Sequence, residues 1–143
     1  RTLQGHRRGP LSASFAPDGR RLLTASEDCT AKLWSADSGE CLRTLEGHRQ
    51  ALLSASFAPD GRRLLTASAD RTAKLWSADS GECLRTLQGH RAPLSSAAFA
   101  PDGLRLLTAS VDRTAKLWSA DSGECLRTLQ GHRGALWSAS FAP

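Results

Sequence analysis

Histidine, serine, aspartate and tryptophan recur at fixed spacing in this 143-residue chain. The sets are His6, Ser26, Asp28 and Trp34; His48, Ser68, Asp70 and Trp76; and His90, Ser110, Asp112 and Trp118. A hydroxyl nucleophile, an imidazole base and an orienting carboxylate are the parts of a hydrolase triad. Two arguments turn the set toward structure instead. Catalysis needs an asymmetric cleft with donors aimed at a developing oxyanion, whereas this set stands three times in the same form. Tryptophan has only an indole N–H to donate, which suits the end of a buried hydrogen-bond chain. The expectation is a structural network, in a protein that is not an enzyme and uses no metal or cofactor. Thr24, Thr66 and Thr108 are the alternative hydroxyls.

A repeat must position these residues. Leu22 to His48, Leu64 to His90 and Leu106 to His132 are near copies at a constant offset of 42 residues. A period of this size marks a solenoid or a propeller. The chain reads as one continuous repeat segment, 1–143, with units 1–42, 43–84 and 85–126 and a partial unit 127–143. Each unit holds four short apolar runs separated by turn chemistry. In the second unit they are Leu52 to Phe57, Arg63 to Ser68, Thr72 to Trp76 and Glu82 to Leu87. Pro59-Asp60-Gly61 supplies a fixed φ and then a residue that accepts positive φ. Ala69-Asp70-Arg71 and Ala78-Asp79-Ser80-Gly81 close the next two runs. The turns leave no room for the ~10–12 residues a helix usually needs, so the fold class is all-β.

Gly-His, Phe-x-Pro-Asp-Gly, Ser-x-Asp-x-Thr and Lys-Leu-Trp follow one another in this order in each period. The chain resembles the WD-repeat β-propellers over essentially its whole length. One departure is that Ser35, Ser77 and Ser119 stand where the family has Asp after Trp. The resemblance implies blades of four antiparallel strands, three complete, with partial strands at both ends. Arg1-Thr2-Leu3 would be an outermost strand and Leu136 to Phe141 an innermost one. It also implies the order of the network: Asp accepts from His, His meets a hydroxyl, and the hydroxyl meets Trp. With no Met and a start in mid-motif, the chain reads as a piece of a longer protein, or as a unit that completes itself with other copies.

The formal net charge is +5, which permits acidic partners or nucleic acid without demonstrating either. Arg20-Arg21, Arg62-Arg63 and Arg105 read as solvated turns and guards on sheet edges rather than a phosphate stripe. No aromatic residue is interleaved with them, as stacking on single strands would require. Cys41, Cys83 and Cys125 share one column, too far apart on neighbouring blades for disulfides, and Cys29 sits alone in a turn. Reduced thiols fit an intracellular, cytoplasmic protein. No apolar run is long enough to span a membrane.

Differences between the copies fall into two clusters. The first is Arg8, Gln50, Ala92 and Gly134 with Leu11, Leu53, Ser95 and Trp137, and the two columns between them. The second is Glu27, Ala69 and Val111, two columns from Cys29, Arg71 and Arg113. Glu46, Ala98 and Leu104 are isolated changes. The clusters flank the loop before the first strand and the loop after the second, which lie on one face of an up-and-down blade. The function expected is a protein-interaction scaffold presenting this face to protein or peptide partners, with Arg8, Leu11, Glu27, Gln50, Leu53, Arg71, Ser95, Val111, Arg113 and Trp137 as contact residues. The alternative is an assembly module that closes its propeller by self-association. The blade core is expected to use Leu22, Leu64 and Leu106, Leu33, Leu75 and Leu117, and Phe15, Phe57, Phe99 and Phe141.

Overall fold

The computed structural model describes residue 5 and residues 10–130, with backbone alone at Pro10 and Leu11. His6, Arg8, Trp137 and the Leu136 to Phe141 run lie outside the described residues. Twelve strands form three sheets of four. The first sheet holds β1 (Pro10–Phe15), β2 (Arg21–Ser26), β3 (Ala31–Ser35) and β4 (Cys41–Leu45). The second holds β5 (Leu52–Phe57), β6 (Arg63–Ser68), β7 (Ala73–Ser77) and β8 (Cys83–Leu87). The third holds β9 (Leu94–Phe99), β10 (Arg105–Ser110), β11 (Ala115–Ser119) and β12 (Cys125–Leu129). Every neighbouring pair is antiparallel and every sheet is ordered as the chain runs. Among the described residues there is no helix. This is the all-β blade architecture expected from the turns.

The sheets stack with their first strands together. β1 lies against β5, and β5 against β9. The fourth strands fan out into solvent, so β4 and β8 bury only their last residue, Leu45 and Leu87. Between the first two sheets, Leu23, Ala25, Ala31 and Leu45 of one pack on Leu52, Leu64, Trp76 and Ala78 of the next. The same pairing recurs one blade on, with Leu65, Ala67, Leu75 and Leu87 against Leu94, Leu106 and Trp118. Strand alternation sends Leu64 toward one neighbour and Leu65 toward the other. Both are essentially fully buried because a blade has two covered faces.

The phenylalanines depart from the expected core. Phe15 is 65 % exposed, and Phe57 and Phe99 are half-buried at the edges of the two clusters. They end the first strands, where the blades stop facing one another. Leu22 and Leu117 are likewise half-buried, unlike Leu64, Leu106, Leu33 and Leu75, since each looks away from the two blade interfaces. The fully buried Leu23, Leu65, Leu45 and Leu87 carry weight that the expected core left out.

Arg20 and Arg62 are exposed in their turns, whereas Arg21 and Arg63 do more than guard an edge. Arg21 Nη2 donates to Gly61 O at 2.9 Å across the blade boundary, and Arg63 Nη2 donates to Gly103 O at 2.7 Å. Their guanidinium groups lie 5.4 and 5.5 Å from the Phe57 and Phe99 ring centroids, within cation–π reach. Further out, Arg43 donates through Nε and Nη2 to Asp79 O, and Arg85 to Asp121 O. These forks pin each blade to the next along its constant edge.

Candidate functional site

The repeated polar set converges inside each blade. Trp76 Nε1 donates to Thr66 Oγ1 at 2.9 Å. Thr66 Oγ1 and His48 Nε2 are 2.7 Å apart, and His48 Nδ1 and Asp70 Oδ2 are 2.8 Å apart. In the third blade, Trp118, Thr108, His90 and Asp112 repeat the arrangement at 2.9, 2.7 and 2.9 Å. In the first, Trp34 Nε1 donates to Thr24 Oγ1 at 2.9 Å. The hydroxyl of the chain is therefore threonine, and the serine assignment is corrected. Ser68 sits two residues along the same strand face and serves the turn instead. Its Oγ donates toward Gln50 O and Ala51 O at 3.1 Å and accepts from the Asp70 N–H at 3.0 Å. Ser110 does the same with Ala92, Pro93 and Asp112.

Electrostatics fix the direction of the chain. Burial lowers the pKa of His48 and His90 below the ordinary 6.5, outweighing the carboxylate beside each, which pushes it up. Each imidazole is thus neutral near pH 7. Nδ1–H donates to the aspartate, Nε2 accepts from the threonine O–H, and the threonine oxygen accepts from the indole. Burial alone would raise Asp70 and Asp112, but the hydrogen bonds from threonine, arginine N–H and histidine win and hold both below 3.8. Asp70 accepts from His48, the Arg49 N–H at 3.0 Å, the Thr72 N–H at 2.9 Å and Thr72 Oγ1 at 2.6 Å. Thr66 is fully buried, and the His48 side chain is only 1 % exposed. Both imidazole nitrogens are engaged, one by Thr66 and one by Asp70, so the arrangement ties the strands of the blade together.

This chain pins the variable clusters to one end of the blade. The Ala69 N–H donates to Ala51 O at 3.0 Å and the Val111 N–H to Pro93 O at 3.2 Å. At the opposite end, the Ala78 N–H donates to Arg62 O and the Ala120 N–H to Leu104 O. Both clusters also coincide with backbone irregularities. Leu52 pairs with Ser68 and Ser54 with Ala67, which leaves Leu53 as the extra residue of a β-bulge. Leu11 and Ser95 occupy the same bulge in β1 and β9, and a bulge re-aims the side chain it carries. Cys29, Arg71 and Arg113 have φ of 73°, 76° and 74°, the left-handed region that is uncommon for a residue with a side chain.

Glu27, Gln50, Arg71 and Arg113 are exposed, and Leu53 is 37 % exposed. Val111 is half-buried. Ser95 is half-buried and its Oγ donates to Ala109 O at 3.3 Å. Sequence reasoning missed the bulge, the left-handed turn residue, and the roles of Thr72 and Thr114. The Ser-x-Asp-x-Thr spacing carried the signal for the threonines. Ser35, Ser77 and Ser119, the departures from Asp, accept from the backbone N–H of Ser38, Ser80 and Ser122 at 3.2–3.3 Å. A hydroxyl there does the turn-stabilising work of a carboxylate.

The family model for the WD domain, G-beta repeat, matches residues 1–35, 39–77 and 81–119. The chain belongs to the WD-repeat family. It is 54% identical over 41 residues to WD repeat-containing protein 86 of Homo sapiens, covering 29% of this chain and 11% of that protein. It is 49% identical over 39 residues to Periodic tryptophan protein 2 of Saccharomyces cerevisiae, covering 27% and 4%. Among solved structures it superposes on U3-55K and on the RRP9 WD40 repeats, each with a TM-score of 0.90 and 30% identity. The match covers 94% of this chain and 43% and 42% of those chains. This WD-repeat chain thus spans a small part of the curated relatives and under half of the solved ones. The free cysteines Cys41, Cys83 and Cys125 are exposed on the fourth strands and Cys29 is half-buried in its turn. Among the described residues no three of His, Cys, Asp and Glu gather to hold a metal ion. No described helix is long and apolar enough to cross a membrane.

Proposed function

We propose that this chain is a non-enzymatic scaffold whose variable face binds protein or peptide partners. One observation carries the reading. The columns that differ between copies are joined by hydrogen bonds at one end of the blades, on a bulge and a left-handed turn, while the other end is nearly constant. Drift in surface loops would touch both ends. Leu11, Leu53 and Ser95 are the bulge column, with Gln50, Glu27, Arg71, Val111 and Arg113 near it; Arg8 and Trp137 share these columns in sequence and lie outside the described residues. Trp and Arg are frequent binding hot spots. A photo-crosslinking residue placed at Leu53 tests this against the same residue at Leu104 on the constant end. The expected result is discrete protein adducts from position 53 and none from 104. Equal adducts from both ends would overturn the assignment.

A second reading is self-completion. Leu129 is 52 % exposed where its equivalents Leu45 and Leu87 are 1 %. A second copy seated on that face would bury Leu129 as the next blade buries Leu45 and Leu87. Sedimentation equilibrium should show association that Leu129→Glu weakens. A monomer at high concentration would end this reading.

A further inference from the structure

Between the blades, on the variable face, lie grooves that the binding reading does not by itself explain. In the second blade a groove of about 490 Å³ is walled by Arg49, Arg71 and Lys74, with Gln88 at its edge. In the third a groove of about 510 Å³ repeats it with Arg91, Arg113, Lys116 and Gln130. The guanidinium groups of Arg49, Arg71, Arg91 and Arg113 form no ion pair among the described residues. Lys74 and Lys116 are held along the wall by hydrogen bonds to Thr86 and Thr128 at 2.9 Å. The carboxylates present, Asp70 and Asp112, are already occupied by His, Thr and backbone N–H donors. Each groove therefore offers positive charge that no described carboxylate pairs with.

The first blade breaks the pattern at two positions together. Its groove carries Cys29 and Glu46 where the others carry Arg and Gln. One cation is lost and one anion gained, while Lys32 and Asp28 are kept. Both changes lower the positive charge of that groove.

We propose that the grooves of the second and third blades each take one acidic side chain of an extended acidic peptide, and that the first blade is excluded from the track. This rests on the scaffold reading and names the partner class. Nucleic acid fits less well. The linings hold no Phe, Tyr or Trp on which bases could stack, and the one ring among them, His90, is tied to Asp112 and Thr108. Glu46 also interrupts the positive path that a continuous phosphate backbone would follow into the first blade. Three cations in each of two separate grooves, with a glutamine in each lining, match discrete carboxylates joined by amide groups.

The test is fluorescence anisotropy of the full chain with a labelled twelve-residue peptide of Glu and Gly, against the same peptide with Gln for Glu. The acidic peptide should bind at least tenfold tighter, and 500 mM salt should erase the difference. Arg71→Ala with Arg113→Ala should weaken binding by about tenfold. Both changes keep a side chain in the left-handed turn, so equal melting temperatures serve as the folding control. Cys29→Arg with Glu46→Gln should strengthen binding, which no loss of fold can imitate. Equal binding of the two peptides, or no gain in that last variant, overturns the proposal. So does tighter binding of a single-stranded oligonucleotide with the same sensitivity to the arginines. Loss of crosslinking at Leu53 with intact peptide binding would fault the scaffold reading alone. The reverse pattern would fault the grooves alone.

Discussion

At the residue scale, the decisive atom is Thr66 Oγ1. It accepts from Trp76 and meets His48 at a fully buried position. Thr66→Val keeps the shape and removes the oxygen, so it strands two buried polar groups. The expected loss is about 2–3 kcal/mol in urea unfolding. Thr86→Val, on the exposed fourth strand, should lose under ~0.5 kcal/mol. Asp70→Ala should lose about 1–3 kcal/mol by orphaning its donors. The titrations give a further sign. His48 and His90 are lowered in the fold, so the unfolded chain binds their protons first as pH falls. Their contribution is complete above pH 6.5 and fades below it, through the folded pKa. Asp70 and Asp112 are also lowered, so theirs is present above 3.8 and fades further down. Urea midpoints measured from pH 8 to pH 3 should fall in two stages, and a midpoint that rises between pH 7 and 5 would contradict the neutral-histidine chain. The residue types of this network were legible from spacing alone. The hydroxyl was not, because Thr66 and Ser68 share a strand face and only the register, Leu64 opposite Trp76, decides between them.

At the element scale, strands were legible because turn chemistry brackets every run. The first two runs of the second unit coincide with β5 and β6, and the last two begin one residue later than expected. The bulge was not legible. Leu53 continues an apolar run, and nothing in residue type separates a bulged leucine from a paired one. The left-handed turn residue was hidden for the opposite reason: glycine normally announces positive φ, and here arginine and cysteine adopt it. That geometry gives a prediction. Arg71→Gly should stabilise the fold by about 1 kcal/mol, the relief of left-handed strain less the entropy of glycine. An unchanged or lower melting temperature would show the turn to be unstrained. Gly47→Ala should do the reverse. Its φ is 148° and an added Cβ would sit 3.5 Å from the Trp76 ring.

At the scale of the whole molecule, stability resides in the blade interfaces. Leu65 is buried between the second and third blades and Phe57 only borders the first interface. Leu65→Ala should therefore cost about 3–5 kcal/mol, and Phe57→Ala distinctly less. That leucines fill the core was legible, but not which of them do, nor that the phenylalanines stay at its edge. Repetition identifies a phenylalanine in every copy, whereas its burial depends on how far the first strands extend past the neighbouring blade. Function follows the same division. The buried chain and the arginine forks are common to the copies and hold the scaffold. The columns on the bulge and turn differ between copies, with Gln50, Leu53, Arg71 and Arg113 exposed and Ser95 and Val111 half-buried. The most direct test transplants one blade's variable residues onto another, with Ala92→Gln, Ser95→Leu and Val111→Ala placing the second blade's residues in the third. Melting and partner adducts at Leu53 are then measured together. The account predicts a melting free energy within ~0.5 kcal/mol of the parent and a changed set of adducts. A marked loss of stability with the same adducts would contradict it.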